Sequence, residues 1–156
     1  MNEAADFEAA RQAAIEYLAA MPRTEQEVRR YLQRRRCPPE TVEEVLQSLR
    51  RGGLVDDRAY AREWVESRSR TRHLGRIRLE AELRTRGIEK AVIREALAIL
   101  DPQQELENAR TLARQFLGLQ DPADAAVRRR LAGYLSRRGH AWDTIEKVLL
   151  ELLAKD

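Results

Sequence analysis

Apolar residues recur along the chain at intervals of three and four, with charged residues filling the positions between them. That period buries one side of a helix and leaves the other in water. Val28, Tyr31 and Leu32 form one stripe; Val42, Val45, Leu46 and Leu49 form a second. Tyr60, Ala61, Trp64 and Val65 form a third. The helix punctuation agrees. Thr24 followed by Glu27 reads as a capping box. Pro38-Pro39 opens the next helix and Gly52-Gly53 stops it. Asp56 and Asp57 start another. Gly87 and Gly139 stand where a left-handed helix stop is expected. Asp101-Pro102 and Asp121-Pro122 both read as a cap followed by a helix-opening proline. The pattern predicts an all-α fold of about nine helices with no convincing strand.

The apolar pattern also repeats at long range. Leu32, Leu83 and Leu135 lie 51 and 52 residues apart. Four residues before each stands Val28, Leu79 or Leu131, and ten after each stands Val42, Ile93 or Ile145. Fourteen after comes Leu46, Leu97 or Leu149, and seventeen after comes Leu49, Leu100 or Leu152. Each segment reads as helix, short turn, helix. Each is preceded by a further amphipathic helix, marked by Ile15/Leu18, Tyr60/Trp64 or Leu106/Leu112/Phe116. The unit is a three-helix module repeated three times, over residues 1–53, 54–101 and 102–156. One unit buries little by itself, and stacking buries the shared faces as in helical solenoids. The expectation is an elongated, curved molecule with a long concave surface. A compact bundle of the same repeats is the alternative, since repeats alone do not fix curvature.

Charged residues make up 35% of the chain, yet the net charge is only +3. The basic residues are nearly all arginine; lysine occurs only at Lys90, Lys147 and Lys155. The guanidinium fork suits phosphate and carboxylate. A high-GC genome produces the same bias, so composition leaves both readings open. Position is more informative. From Arg68 to Arg78 run Arg68, Arg70, Arg72, His73, Arg76 and Arg78, with no acidic residue between Glu66 and Glu80. Such a run repels itself unless a partner offsets it. Three residues after each anchor leucine stands Arg35, Arg86 or Arg138. These form either a basic row along one edge or local complements to three helix C-termini. The candidate basic surface comprises these residues with Arg34, Arg84, Arg129, Arg130 and Arg137. Tyr60 and Trp64 read as core packing against Val65 and Leu54 rather than as a base-stacking platform. Trp142 reads as a core or inter-helix contact.

Catalytic and metal chemistry find no foothold. His73 and His140 are far apart and share no metal-ligand spacing with Cys37. No glycine-rich phosphate loop follows a strand, and no serine sits in a nucleophile elbow. Carboxylates such as Glu80 have a helical arginine, here Arg84, one turn on, which reads as a solvated ion-pair face. The expectation is a protein that is not an enzyme and carries neither metal nor cofactor. The single cysteine suits a reducing compartment. No apolar run approaches the roughly 20 residues that span a bilayer, and the acidic stretch Met1 to Asp6 lacks a signal-peptide pattern. A cytoplasmic monomer with no membrane partner is expected.

Two stretches resemble a known family. Gly53-Leu54-Val55-Asp56-Asp57, then Tyr60-Ala61, Trp64-Val65 and Arg68, resembles the central signature of RecX regulatory proteins. Gly75, Arg78-Leu79, Glu82-Leu83 and Arg86-Gly87-Ile88 follow at that family's spacing. Arg23-Thr24, Glu27-Val28 and Leu32 look like its first repeat. Within this signature Gly53, Leu54, Asp56, Asp57, Tyr60, Trp64, Leu83 and Gly87 read as structural. Gly53 ends one helix, Leu54 and Val55 plug the interface between units, and Asp56 or Asp57 caps the next helix. The chain departs from the pattern at Arg36-Cys37, where the later repeats have Gly87-Ile88 and Gly139-His140. That departure predicts a different turn, set by Pro38.

The resemblance implies a modulator of the RecA recombinase, most readily a negative one, in DNA repair, homologous recombination and the SOS response. It implies lodging in the groove of the RecA filament on DNA. Inhibition of ATP hydrolysis, strand exchange and co-protease activity would follow from blocked filament growth or promoted disassembly. Direct binding to single- or double-stranded DNA would be weak and non-specific. A free-standing helical DNA-binding module and a structural adaptor are the competing readings of the same residues.

Overall fold

The computed structural model describes residues 3–154. Met1, Asn2, Lys155 and Asp156, at the outer limits of the first and third predicted repeats, lie outside the described residues. Among the described residues there are nine helices and no strand, as the apolar pattern predicts. They are α1 (Glu3–Ala20), α2 (Glu25–Arg34), α3 (Pro39–Arg51), α4 (Asp57–Arg72), α5 (Arg76–Thr85), α6 (Lys90–Leu97), α7 (Pro102–Leu117), α8 (Ala125–Arg137) and α9 (Trp142–Leu153).

Local chemistry sets most of the helix ends. At α2 the Thr24 hydroxyl accepts from the Glu27 amide at 3.2 Å, and the Glu27 carboxylate accepts from the Thr24 amide at 3.1 Å. Both bonds satisfy donors that a helix start leaves open. Asp101 caps α7 by accepting from the Gln103 amide at 2.9 Å, with Pro102 at the first helical position. Asp56 accepts from the Ala59 amide at 3.1 Å at the start of α4. Asp121-Pro122 corrects the expectation. Asp121 accepts from the Ala123 amide at 2.9 Å and its carbonyl takes the Asp124 amide at 3.2 Å, which closes a turn. Asp124 then caps α8, accepting from the Ala126 amide at 2.8 Å.

The chain forms two compact units. One runs to Ala61 and takes up Leu83–Ile93; the other joins Arg62–Glu82 to the chain from Arg94 onward. Helices α4, α5 and α6 therefore each contribute to both units. In the first unit α1, α2 and α3 pack around Ala14, Val28, Leu32, Val45, Leu46 and Leu49. Tyr17 and Tyr31 stack at its edge with centroids 4.1 Å apart, and Arg23 covers the Tyr17 ring at 4.5 Å. In the second unit α7, α8 and α9 pack around Ala109, Leu112, Leu131, Leu135, Ile145 and Val148. Phe116 and Tyr134 stack there at 5.1 Å.

Two core assignments change. Val55 is 4% exposed and joins the first core, but its neighbour Leu54 is 48% exposed. The turn at Gly53 (φ 72°) sends both amides back to the Leu49 carbonyl, and only Val55 lands on the apolar side. Leu54 therefore neither plugs an interface nor packs in a core. Trp142 is 61% exposed. Ile145 and Val148 define the inner face of α9, and Trp142 stands about a quarter turn away from it.

Candidate functional site

Three turns of one design organise the site: α2–α3, α5–α6 and α8–α9. In each, the amide three residues past the helix returns to the anchor leucine. Cys37 donates to the Leu32 carbonyl at 3.2 Å, Ile88 to Leu83 at 3.2 Å and His140 to Leu135 at 3.1 Å. The residue before it is left-handed in all three: Arg36 (φ 63°), Gly87 (φ 81°) and Gly139 (φ 94°). The different turn expected at Arg36 is thus absent. Main-chain hydrogen bonding fixes the conformation, and arginine tolerates the strain at an exposed position.

Glycine is required at the other two by close approach as well as by φ. A Cβ on Gly87 would lie 2.5 Å from the Gln26 Cβ, and one on Gly139 would lie 2.5 Å from the Arg78 nitrogen. Each of these turns is pressed against the start of an earlier helix. In the first joint, within the first unit, the α5–α6 turn meets α2. The Thr24 hydroxyl donates to the Arg86 carbonyl at 2.7 Å. In the second joint, within the second unit, the α8–α9 turn meets α5. The Gly75 amide donates to the Arg138 carbonyl at 2.9 Å, and the Ile77 amide to the Gly139 carbonyl at 3.1 Å. Thr24 and Gly75 are 51 residues apart, the repeat spacing, so one bond is made by a hydroxyl and its counterpart by an amide.

The predicted arginines divide by partner. Arg68 lies over the Trp64 ring, 3.3 Å from its centroid, while the Trp64 indole donates to Glu82 at 3.3 Å. Trp64 is buried, which matches the core reading, whereas Tyr60 is only half-buried. Arg76 grips Glu105 with two nitrogens at 2.8 and 2.6 Å. Arg78 reaches the Arg137 carbonyl at 3.4 Å and lies 3.7 Å from Glu82. The run from Arg68 to Arg78 is therefore not free of acids in space: Glu82 meets it from one turn further along α5, and Glu105 from 29 residues beyond Arg76. Arg86 pairs with Glu27 at 3.5 Å, and Arg23 pairs with the same oxygen at 3.5 Å. Arg138 donates to the Arg72 carbonyl at 3.0 Å, and its Nε is buried with no hydrogen-bond partner among the described residues. Arg130 holds Gln120 at 3.1 Å. Arg34, Arg35, Arg70, Arg72, Arg84, Arg129 and Arg137 are exposed. Arg35, Arg86 and Arg138 thus differ in kind. The first is exposed, and the other two are half-buried members of the joints.

Sequence reading missed a polar chain inside the second unit. The Asn108 amide donates to the Ser69 hydroxyl at 2.9 Å, and the Asn108 oxygen lies 3.3 Å from His73 Nδ1. His140 Nε2 donates to the His73 carbonyl at 2.9 Å. Ser69, Asn108 and His140 are all buried. Burial holds the His140 imidazole below its ordinary value, against the opposing pull of that hydrogen bond. The available signal was Asn108, a polar residue amid the apolar positions of α7. In the first unit, Asp57 accepts from the Glu25 amide at 2.9 Å, and burial pushes its carboxyl up. Hydrogen bonding from Arg50 holds the Glu25 carboxyl below its usual range. Among the described residues no group of three or more His, Cys, Asp or Glu is placed to hold a metal ion, and no helix is long and apolar enough to cross a membrane.

Known proteins share this fold. Models of the first, second and third three-helix domains of RecX match residues 10–49, 56–97 and 103–149. The chain is 39% identical over 150 residues to the Regulatory protein RecX of Streptomyces coelicolor, covering 96% of this chain and 80% of that one. It is 37% identical to the Regulatory protein RecX of Mycobacterium avium, covering 99% and 91%. The crystal structure of RecX from Lactobacillus salivarius superposes with a TM-score of 0.89, over 97% of this chain and 99% of that one, at 23% identity. A second crystal structure, of regulatory protein RecX, gives 0.84 over 94% and 72%, at 26% identity. Three successive domain matches and relatives of this similarity over nearly the full chain lead to one conclusion: it belongs to the RecX family of regulatory proteins.

Proposed function

We propose that this chain is a negative regulator of the RecA recombinase. It binds the groove of the RecA–DNA filament and suppresses ATP hydrolysis, strand exchange and co-protease activity, by blocking filament growth or promoting disassembly. Family membership supports the partner, and the observation that carries the reading is the second joint. There the arginines outnumber the acids, as a surface meeting a DNA-containing filament requires. The three-helix repeats 1–53, 54–101 and 102–156 are the units that would make successive contacts along the filament, adding avidity without a new kind of contact. The protein acts as a cytoplasmic monomer, without metal or cofactor, and touches DNA weakly and without sequence preference. Titrating the protein into cognate RecA turning over ATP on single-stranded DNA tests this. Suppression at sub-stoichiometric amounts is expected, since blocking growth needs few molecules. Unchanged turnover at an excess over RecA overturns the reading.

A further inference from the structure

The two joints have the same main-chain design and differ in charge. In the first, Glu27 stands at the helix start and pairs with both Arg86 and Arg23, each at 3.5 Å. The residue 51 positions on is Arg78, and it occupies the corresponding place in the second joint. Met21 and Thr85 of the first likewise correspond to Arg72 and Arg137 of the second. The fold therefore builds this joint once with a carboxylate and once with arginines in its place.

The second joint draws these arginines together through the main chain. Arg138 holds the Arg72 carbonyl at 3.0 Å, and Arg78 holds the Arg137 carbonyl at 3.4 Å. Carbonyls orient the two guanidinia but do not cancel their charge. Among the described residues, Glu82 at 3.7 Å from Arg78 is the one carboxylate paired with any of the four. The Arg72 and Arg137 side chains are exposed. By contrast Arg76 has Glu105 to itself, and Arg110 and Arg114 share Glu107. Four guanidinia against one acid leave several charges unmatched, and a run of phosphodiesters supplies negative charge at that density.

We infer that Arg72, Arg78, Arg137 and Arg138 form a binding site for the phosphate backbone of nucleic acid, and that the first joint is its non-binding counterpart. The inference deepens the regulator reading by naming the polyanion and the residues. It takes only the choice of polyanion from that reading, and the charge contrast stands apart from it.

The test is fluorescence anisotropy of the full chain with a labelled duplex of mixed sequence, repeated over a range of NaCl concentrations. The double variant Arg72→Ala/Arg137→Ala removes two exposed side chains with no partner among the described residues. Arg78→Glu gives the second joint the residue that the first accommodates; because Glu82 then faces it one turn on, a thermal melt confirms that it is folded before its binding is read. Arg51→Ala/Arg94→Ala is the control, removing the same charge from exposed positions outside both joints. The slope of log affinity against log salt should fall by about 1.8 in the first double variant, at about 0.9 per phosphate contact on duplex DNA. Arg78→Glu should weaken binding at least tenfold at low salt, and the control should keep the wild-type slope. An equal loss in the control overturns the inference, as does a wild-type affinity that ignores salt. Competition by polyglutamate as effective as by DNA, at equal charge, would reassign the cluster to an acidic protein and overturn it too. RecA turnover measured with the same proteins separates the two claims. Duplex binding through the joint with no effect on RecA would sink the regulator reading alone. Suppression of RecA by a wild-type chain that does not bind duplex would sink the joint alone.

Discussion

Gly139 and Arg36 hold the same left-handed backbone under different constraints. Alanine at 139 would add a strained φ and a Cβ inside a packed joint. Gly139→Ala should therefore lower stability by more than about 1 kcal/mol, read as a fall in the urea midpoint. Arg36→Gly should move that midpoint little, because relief of φ strain is offset by the greater freedom of glycine in the unfolded chain. His140 gives a pH signature. Its folded value lies below the ordinary 6.5, with burial the first cause. The groups that act on it are the His73 carbonyl, Glu105, Arg138 and His73 itself. An imidazole held low is kept neutral by folding, so its stabilisation is full above 6.5 and is lost as pH falls from there through the folded value. His140→Gln keeps a side-chain amide to meet the His73 carbonyl and cannot titrate. Its urea midpoint should fall less than that of the wild type as pH drops below 6.5, and parallel curves would refute the assignment.

Helix ends were legible where the cap and the capped amide are neighbours in sequence. The Thr24–Glu27 box and Asp101-Pro102 lie where their residues place them, because three or four residues hold all the information. Asp121 and Asp124 show where such reading stops. Both are good caps, and each finds an amide two residues on. Which of them opens a helix depends on burying Val127, Leu131 and Leu135, a long-range fact. Asp124→Ala should thus cost about 1 kcal/mol, the usual worth of a helix cap, and Asp121→Ala distinctly less. Equal losses in thermal melts would mean that the turn and the cap act as one element. Leu54 and Trp142 were misplaced for the same reason. Apolar character says that a side chain can be buried, and only the path of the turn or the facing of the helix says whether it is.

Across the molecule, the threefold pattern could be read from leucine spacing alone, since core positions recur wherever the same module recurs. The partners of the arginines could not, because Glu105 lies 29 residues from Arg76 in sequence. That distinction sharpens the effect of charge reversal. Arg70→Glu/Arg72→Glu should weaken suppression of RecA without shifting the melting temperature, since both side chains are exposed. Arg76→Glu should lower the melting temperature as well, because it sets two carboxylates face to face beside a half-buried pair. A shift of similar size in both variants would show that partner assignment does not govern stability here. The turn-on-helix joint has one more consequence. It is heterologous: a turn on one module meets a helix start on another, and the two surfaces differ. Contacts of that kind, made between molecules, add protomers head to tail, into rings where the rotation closes and into open fibres where it does not. The α2–α3 turn has the right backbone to take part in one. With Arg36 there instead of glycine, it carries a Cβ at the very place where Gly87 and Gly139 have room for none, so this turn is not shaped to seat on a helix start as the other two do.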